Sequence, residues 1–128
     1  MKKILIVDDS DNWVKYHKFA AGELFGKEAA IETANSAKDG FSKVTANLDI
    51  PFNIILTDLQ MESDFLPLYA GEWFIREIQM LKEYNNTRII IISATNTIKK
   101  IAEKYKVEYL PKYMCKTLNT YDILKIST

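Results

Sequence analysis

Short apolar runs alternate along this chain with longer stretches whose apolar residues recur at helical spacing. Residues 4–7, Ile-Leu-Ile-Val, form a continuous run rich in β-branched side chains, the pattern of a strand buried on both faces. Polar residues 8–12 then offer helix caps. Trp13, Tyr16, Ala20 and Leu24 follow on one helical face, and Gly26 closes the pattern. Ala29–Ala34 reads as a weaker strand. Asn35-Ser36 caps a second helix with Ala37, Phe41, Val44 and Leu48 on its apolar side. After Pro51, residues 52–57 form a second strong strand run that stops at Asp58. A long loop over 59–70 leads to a third helix from Gly71 or Glu72, with Phe74, Ile78 and Leu81 inward and Asn85-Asn86 at its end. Residues 88–92 are the next strong strand, closing at Ser93-Ala94. Thr97 opens a short helix carrying Ile98, Ile101, Ala102 and Tyr105. A last strand falls somewhere within 109–115, and a very short last helix within 120–126.

Buried strands separated by helices imply an α/β fold, a parallel sheet with helices on both faces and right-handed crossovers. The 128 residues suit one domain spanning 1–128. Seventeen basic and seventeen acidic residues cancel, which argues against a nucleic-acid-coating role. The one cysteine excludes an internal disulfide, and no apolar run approaches the ~20 residues of a membrane span. The N-terminal apolar run stops after four residues, short of the roughly 7–15 of a signal peptide, so a cytoplasmic location is expected.

Open parallel sheets bind ligands beyond the carboxyl ends of their strands. In this chain those ends carry Asp8 and Asp9, Asp58, Ser93, and either Lys112 or Lys116. Three carboxylates drawn together repel, and a hard divalent cation such as Mg²⁺ relieves the repulsion. A hydroxyl and an ammonium beside them can hold the other oxygens of a phosphoryl group. A carboxylate at the centre can act as nucleophile and form an acyl phosphate.

This ordered set resembles the response regulator receiver domain of two-component signalling, the chemotaxis-regulator type. The resemblance rests on Ile-Leu-Ile-Val-Asp8-Asp9, Ile-Ile-Leu-Thr-Asp58-Leu-Gln-Met61, Ile-Ile-Ile-Ile-Ser93-Ala94 and a lysine after the fifth strand, and it covers essentially the whole length. It implies a flavodoxin-like, doubly wound, three-layer α/β/α fold with strand order 2-1-3-4-5. It implies Asp58 as phosphoacceptor, with Asp9 and Asp58 as Mg²⁺ ligands, Asp8 ligating directly or through water, and the backbone carbonyl of Gln60 completing the set. Ser93 is then the phosphoryl contact and switch, and Gln60 and Thr95 set the lifetime of the acyl phosphate. Lys116 is the preferred lysine, because Leu118 and Ile123 follow it at the family's spacing and Tyr113 stands three residues before it, at the aromatic switch position. Lys112 is then left as a solvated surface lysine.

The implied function is a phosphorylation-activated switch and not a metabolic enzyme. It takes its phosphoryl group from a histidine kinase or histidine phosphotransfer protein and presents an altered face to a downstream protein effector. Nucleic acid and membrane are not expected partners. Three departures from the family stand out. Gly71 lies thirteen residues past Asp58, so the loop after the third strand is lengthened, and it carries Phe65, Leu66, Leu68 and Tyr69. Thr117 replaces the proline that follows the family's lysine, and the last helix is short. Two other readings stay open. One is a receiver-like binding scaffold that is never phosphorylated. The other is a phosphohydrolase of the haloacid-dehalogenase type, which needs an aspartate two residues past its nucleophile, where Gln60 stands. His17 reads as a surface or packed histidine, Cys115 as a buried thiol, and Lys99, Lys100, Lys104 and Lys106 as a solvated face.

Overall fold

The computed structural model describes residues 2–61, 70–116 and 118–125, with the side chains of 116, 118 and 119 left aside. Five parallel strands, β1 (Lys2–Val7), β2 (Ala29–Ala34), β3 (Ile54–Thr57), β4 (Arg88–Ser93) and β5 (Glu108–Pro111), form one sheet in the order β2-β1-β3-β4-β5. Among the described residues, four α-helices connect or flank them: α1 (Asp11–Phe25), α2 (Ala37–Ala46), α3 (Ala70–Gln79) and α4 (Ile98–Tyr105). The last element, Leu118–Lys125, is a 3-10 helical segment. The expected fold class and strand order are therefore what the chain adopts.

The continuous apolar runs are explained by burial on both sides. Alternate residues of each central strand enter different cores. Leu5, Val7, Ile55, Ile89 and Ile91 pack with Val44, Phe74, Ile78 and Ala102 from α2, α3 and α4. Ile4, Ile6, Ile54, Leu56, Ile90 and Ile92 pack on the other face with Ala20 and Ala21 of α1 and with Tyr121 and Leu124 of the C-terminal segment. Side-chain caps fix where two helices begin. Ser10 accepts from Trp13 N, and Ser36 accepts from Asp39 N. Gly26 ends α1 with φ 55°, a left-handed value that costs glycine nothing.

Boundaries differ from the sequence reading in places. α2 stops at Ala46, because the Asn47 side chain donates to Lys43 O and turns the chain; Leu48 still packs against the core from beyond the helix. α3 stops at Gln79 and a separate 3-10 turn, Lys82–Tyr84, continues the run to 84. Arg88 ties the C-terminal segment to the sheet. Its guanidinium pairs with Glu108 and donates to the carbonyls of Ile123 and Leu124. The apolar cluster expected at Phe65, Leu66, Leu68 and Tyr69, the peptide before Thr117, and the side chain of Lys116 lie outside the described residues. Among the described residues, no helix is long and apolar enough to cross a membrane.

Candidate phosphoacceptor and cation site

The sheet ladder itself delivers the acids. Asp8 N donates to Ala34 O, and Asp58 N donates to Val7 O, so each aspartate continues its strand by one residue past the register pairs Val7↔Ala34 and Val7↔Thr57. Both side chains then stand at the carboxyl edge of the sheet. Asp8, Asp9 and Asp58 each offer a carboxylate oxygen within 4.8 Å of the others. The expected acidic cup is thus present, built from positions fifty residues apart in sequence.

Its individual oxygens are held in different ways. Asp58 Oδ1 accepts from Leu59 N at 2.7 Å, and Asp58 Oδ2 accepts from the Lys112 ammonium at 2.8 Å. Asp8 Oδ1 accepts from Ser10 N at 2.9 Å. Asp8 Oδ2 forms an ion pair with Lys112 Nζ at 2.9 Å. Burial works to raise the pKa of Asp8, but His17, the Ser10 N–H and Lys112 together outweigh it and hold the carboxyl below its ordinary 3.8. For Lys112, burial pulls downward, and Asp58 and then Asp8 override it, raising the ammonium above its ordinary 10.5.

Lys112 corrects the sequence reading, which placed it in solvent. Its side chain is 11% exposed and bridges two of the three acids. The reason lies in the register of the edge strand. Ser93 pairs with Pro111, the last residue of β5, so Lys112 is the first residue past the sheet edge, as Asp58 is after Thr57. With Lys112 in the cup, the interval of three residues that pointed to Tyr113 points to Tyr109, which sits in β5 opposite Ile91 and packs on the core. Tyr113 itself lies beyond β5 and is 72% exposed.

Ser93 is buried at the end of β4, where its hydroxyl accepts from Thr95 N at 3.4 Å. Thr95 is half-buried and Gln60 is exposed, each two residues beyond a site residue, Ser93 and Asp58 respectively. Gly71 explains the start of α3. Its N–H donates to Leu59 O at 2.9 Å, and a Cβ there would stand 2.4 Å from Leu59 Cα and 2.5 Å from Asp58 O. The helix thus rests directly on the backbone that carries Asp58, at the glycine singled out from the sequence. His17 is the residue that sequence reasoning underused. It is packed against the cup, with Nε2 3.8 Å from Asp8 Oδ2.

The donor set suits a hard divalent ion. It is all oxygen, and at formal charge three carboxylates against one ammonium leave two negative charges. The buried Asp8 Oδ2, which the Lys112 ammonium contacts at 2.9 Å, is a further oxygen able to face an ion that takes the ammonium's place.

No protein-family model matches the chain. No curated protein matches it either. Solved structures do. The chain is similar to the chemotaxis response regulator CheY4 of Vibrio cholerae, at 20% identity and a TM-score of 0.78, over 98% of this chain and 97% of that one. It is similar to the phosphorylated cyanobacterial phytochrome response regulator RcpA, at 16% identity and a TM-score of 0.77, over 98% and 94% of the two chains. It is also similar to the Mn²⁺-bound form of response regulator Rcp1, at 15% identity and a TM-score of 0.73, over 100% and 96%. These likenesses establish the fold, which is that of CheY-like response regulator receiver domains.

Proposed function

We propose that this chain is a phosphoryl-accepting receiver domain, with Asp58 as the acceptor. The observation that carries the reading is the Lys112 ammonium, 2.8 Å from Asp58 and 2.9 Å from Asp8, inside a cup of three acids. Asp9, Asp58 and the Gln60 backbone carbonyl would hold Mg²⁺, with Asp8 beside them. When bound, the ion supplies charge neutralisation for the transferring phosphoryl group.

The chain's own groups account for the rest. The Leu59 N–H fixes one carboxylate oxygen of Asp58, and the Lys112 ammonium fixes the other, so the nucleophile is oriented before a donor arrives. A carboxylate oxygen attacks the phosphorus of a phosphohistidine on a histidine kinase or histidine phosphotransfer protein. A P–O bond forms, the P–N bond breaks, and the ring nitrogen that loses phosphorus takes one proton from water, so that neutral imidazole leaves. Lys112 then pairs with the new phosphoryl oxygens, and the Ser93 hydroxyl donates to another. Movement of Ser93 and its neighbours toward the phosphoryl group frees space behind β4, into which Tyr109 turns, the residue three before the lysine. The surface formed by α4, β5 and the following segment changes, and a protein effector reads it. This is a population shift between two packings of one face. Water attack at phosphorus, past Gln60 and Thr95, breaks the acyl P–O bond, releases inorganic phosphate and restores the carboxylate.

Gln60 argues against steady phosphohydrolase turnover, since an amide at that position cannot pass protons as a general acid. The decisive test is incubation with acetyl phosphate and Mg²⁺, followed by intact mass measurement. The parent gains one phosphoryl group and Asp58→Asn gains none. A fully labelled Asp58→Asn protein removes the assignment. A parent that is never labelled favours the unphosphorylated scaffold.

A further inference from the structure

An imidazole in an apolar core costs free energy unless both nitrogens find partners. His17 lies on the inner face of α1, 2% exposed, between the acidic cup and the C-terminal segment. Its Nδ1 is 2.6 Å from the Tyr121 hydroxyl, which is fully buried. Its Nε2 has no hydrogen-bond partner and faces, at 3.8 Å, Asp8 Oδ2, whose near partner is the Lys112 ammonium at 2.9 Å. Trp13 stacks on the ring, with centroids 5.3 Å apart and planes 28° apart, and fixes its plane.

These contacts select a tautomer. One proton lies between Nδ1 and the tyrosine oxygen, and either group can own it. If Nδ1 owned it, the Nε2 lone pair would point at the buried Asp8 carboxylate, a repulsion that Lys112 offsets only while it stays on that oxygen. If the tyrosine donates, Nε2 carries the other proton and its dipole points favourably at Asp8. Burial raises the pKa of Tyr121, so its hydroxyl keeps the proton it donates.

We infer that His17 is a positioning residue for the cation cup: Tyr121 holds it as the Nε2–H tautomer, and that N–H holds Asp8 Oδ2 in place when Lys112 leaves it. Lys112 cannot serve Asp8 and a phosphoryl group equally, and a cation entering the cup competes with the ammonium for the same oxygens. His17 is the group on the other side of Asp8 that stays. The C-terminal segment thereby enters the cup's affinity through one hydroxyl. By reciprocity, cation binding tightens the docking of that segment. The inference rests on the cup being a cation site, as proposed above, but not on Asp58 accepting phosphate.

The test uses the full chain and MgCl₂ alone, by titration calorimetry, with no phosphodonor. His17→Phe and Tyr121→Phe are each expected to weaken Mg²⁺ about tenfold, the usual effect of removing a partner behind a metal ligand. His17→Gln keeps an N–H near the Nε2 position and is expected to recover most of the loss. The double variant is expected to be no weaker than either single one. Nitrogen-15 NMR of the parent is expected to show His17 protonated at Nε2 only, and a mixture in Tyr121→Phe. Folded Tyr121→Phe binding Mg²⁺ within twofold of the parent, a parent ring protonated at Nδ1, or a parent that binds no Mg²⁺ overturns the inference. The NMR measurement needs no variant, so it decides even where a substitution prevents folding. Acetyl phosphate labelling is scored separately. An unlabelled parent with the tenfold effects intact ends the phosphoacceptor reading alone, and a labelled parent indifferent to Tyr121→Phe ends this one alone.

Discussion

Replacing Lys112 by Met removes one charge and keeps most of the side-chain volume, so its effect isolates the ammonium. In the parent that ammonium is 2.8 Å from Asp58 Oδ2 and 2.9 Å from Asp8 Oδ2, and all three side chains are at most 11% exposed. Without it, the three acids of the cup have lost their bridging cation. Removing one partner of a buried ion pair costs about 3–5 kcal/mol, because the remaining charge stays buried and unpaired. The cup opens at the edge of the sheet, where water can reach the acids, so we take the lower bound, about 3 kcal/mol in the presence of a chelator. At about 4 °C per kcal/mol for a domain of this size, the melting temperature falls by about 12 °C.

Added Mg²⁺ separates this account from simple damage. A ligand at a hundredfold its dissociation constant stabilises by about 2.7 kcal/mol, close to the whole loss. The ammonium and the cation also compete for Asp8 and Asp58, so Lys112→Met gains more from Mg²⁺ than the parent does. Calorimetric melts of both proteins, with EDTA and with saturating MgCl₂, measure all four quantities. Lys116→Met serves as the comparison. If Lys116→Met shows the loss and its rescue by Mg²⁺, while Lys112→Met stays within about 0.5 kcal/mol of the parent, the placement of Lys112 in the cup is wrong.

Three further outcomes follow from the same geometry. Gly71→Ala sets a methyl 2.4 Å from Leu59 Cα, where carbon atoms prefer about 3.5–4.0 Å; both colliding groups are backbone, so a loss above about 3 kcal/mol in urea melts and weaker labelling of Asp58 are expected. Arg88→Ala frees the Ile123 and Leu124 carbonyls and Glu108, and should cost about 2 kcal/mol and speed amide exchange across the C-terminal segment; unchanged exchange there contradicts the tie. In EDTA, the depressed Asp8 gives stability that is present above its unfolded value of 3.8 and lost as pH falls through the lower folded value. The raised Lys112 gives stability that is present below 10.5 and lost as pH rises through the higher folded value. Urea midpoints against pH should decline at both ends, and Asp8→Asn should flatten the acid side; a midpoint that rises on acidification contradicts the pairing.

What the sequence disclosed tracks how many faces of each strand are buried. Residues 4–7, 54–56 and 89–92 lie in the middle of the sheet, covered on both sides, and they had to be continuous apolar runs. Each therefore ends at a sharp polar boundary, and Asp8, Asp58 and Ser93 could be read directly from those boundaries. The edge strand β5 is only partly covered and runs Glu-Tyr-Leu-Pro, with no boundary that hydropathy can locate. With no boundary to count from, Lys116 was chosen by Leu118 and Ile123 after it, and Tyr113 by its interval from Lys116, while the structure brings Lys112, four residues earlier, into the cup. The signal that pointed to Lys112 was Pro111. A proline inside or at the end of an edge strand marks where pairing stops, and one step beyond it is Lys112.

His17 carried a related signal that the sequence reading did not use. Trp13, His17, Ala20, Ala21 and Leu24 fall on one helical stripe, and α1 begins three residues after Asp8. A titratable ring on the inner stripe, two turns into the helix that follows the first acid, must sit behind that acid once the helix packs back on β1. Spacing alone could have placed His17 beside Asp8, where the sequence reading took it only as a surface or packed histidine. It could not supply Tyr121, whose 104-residue separation from His17 is closed only by the folded sheet.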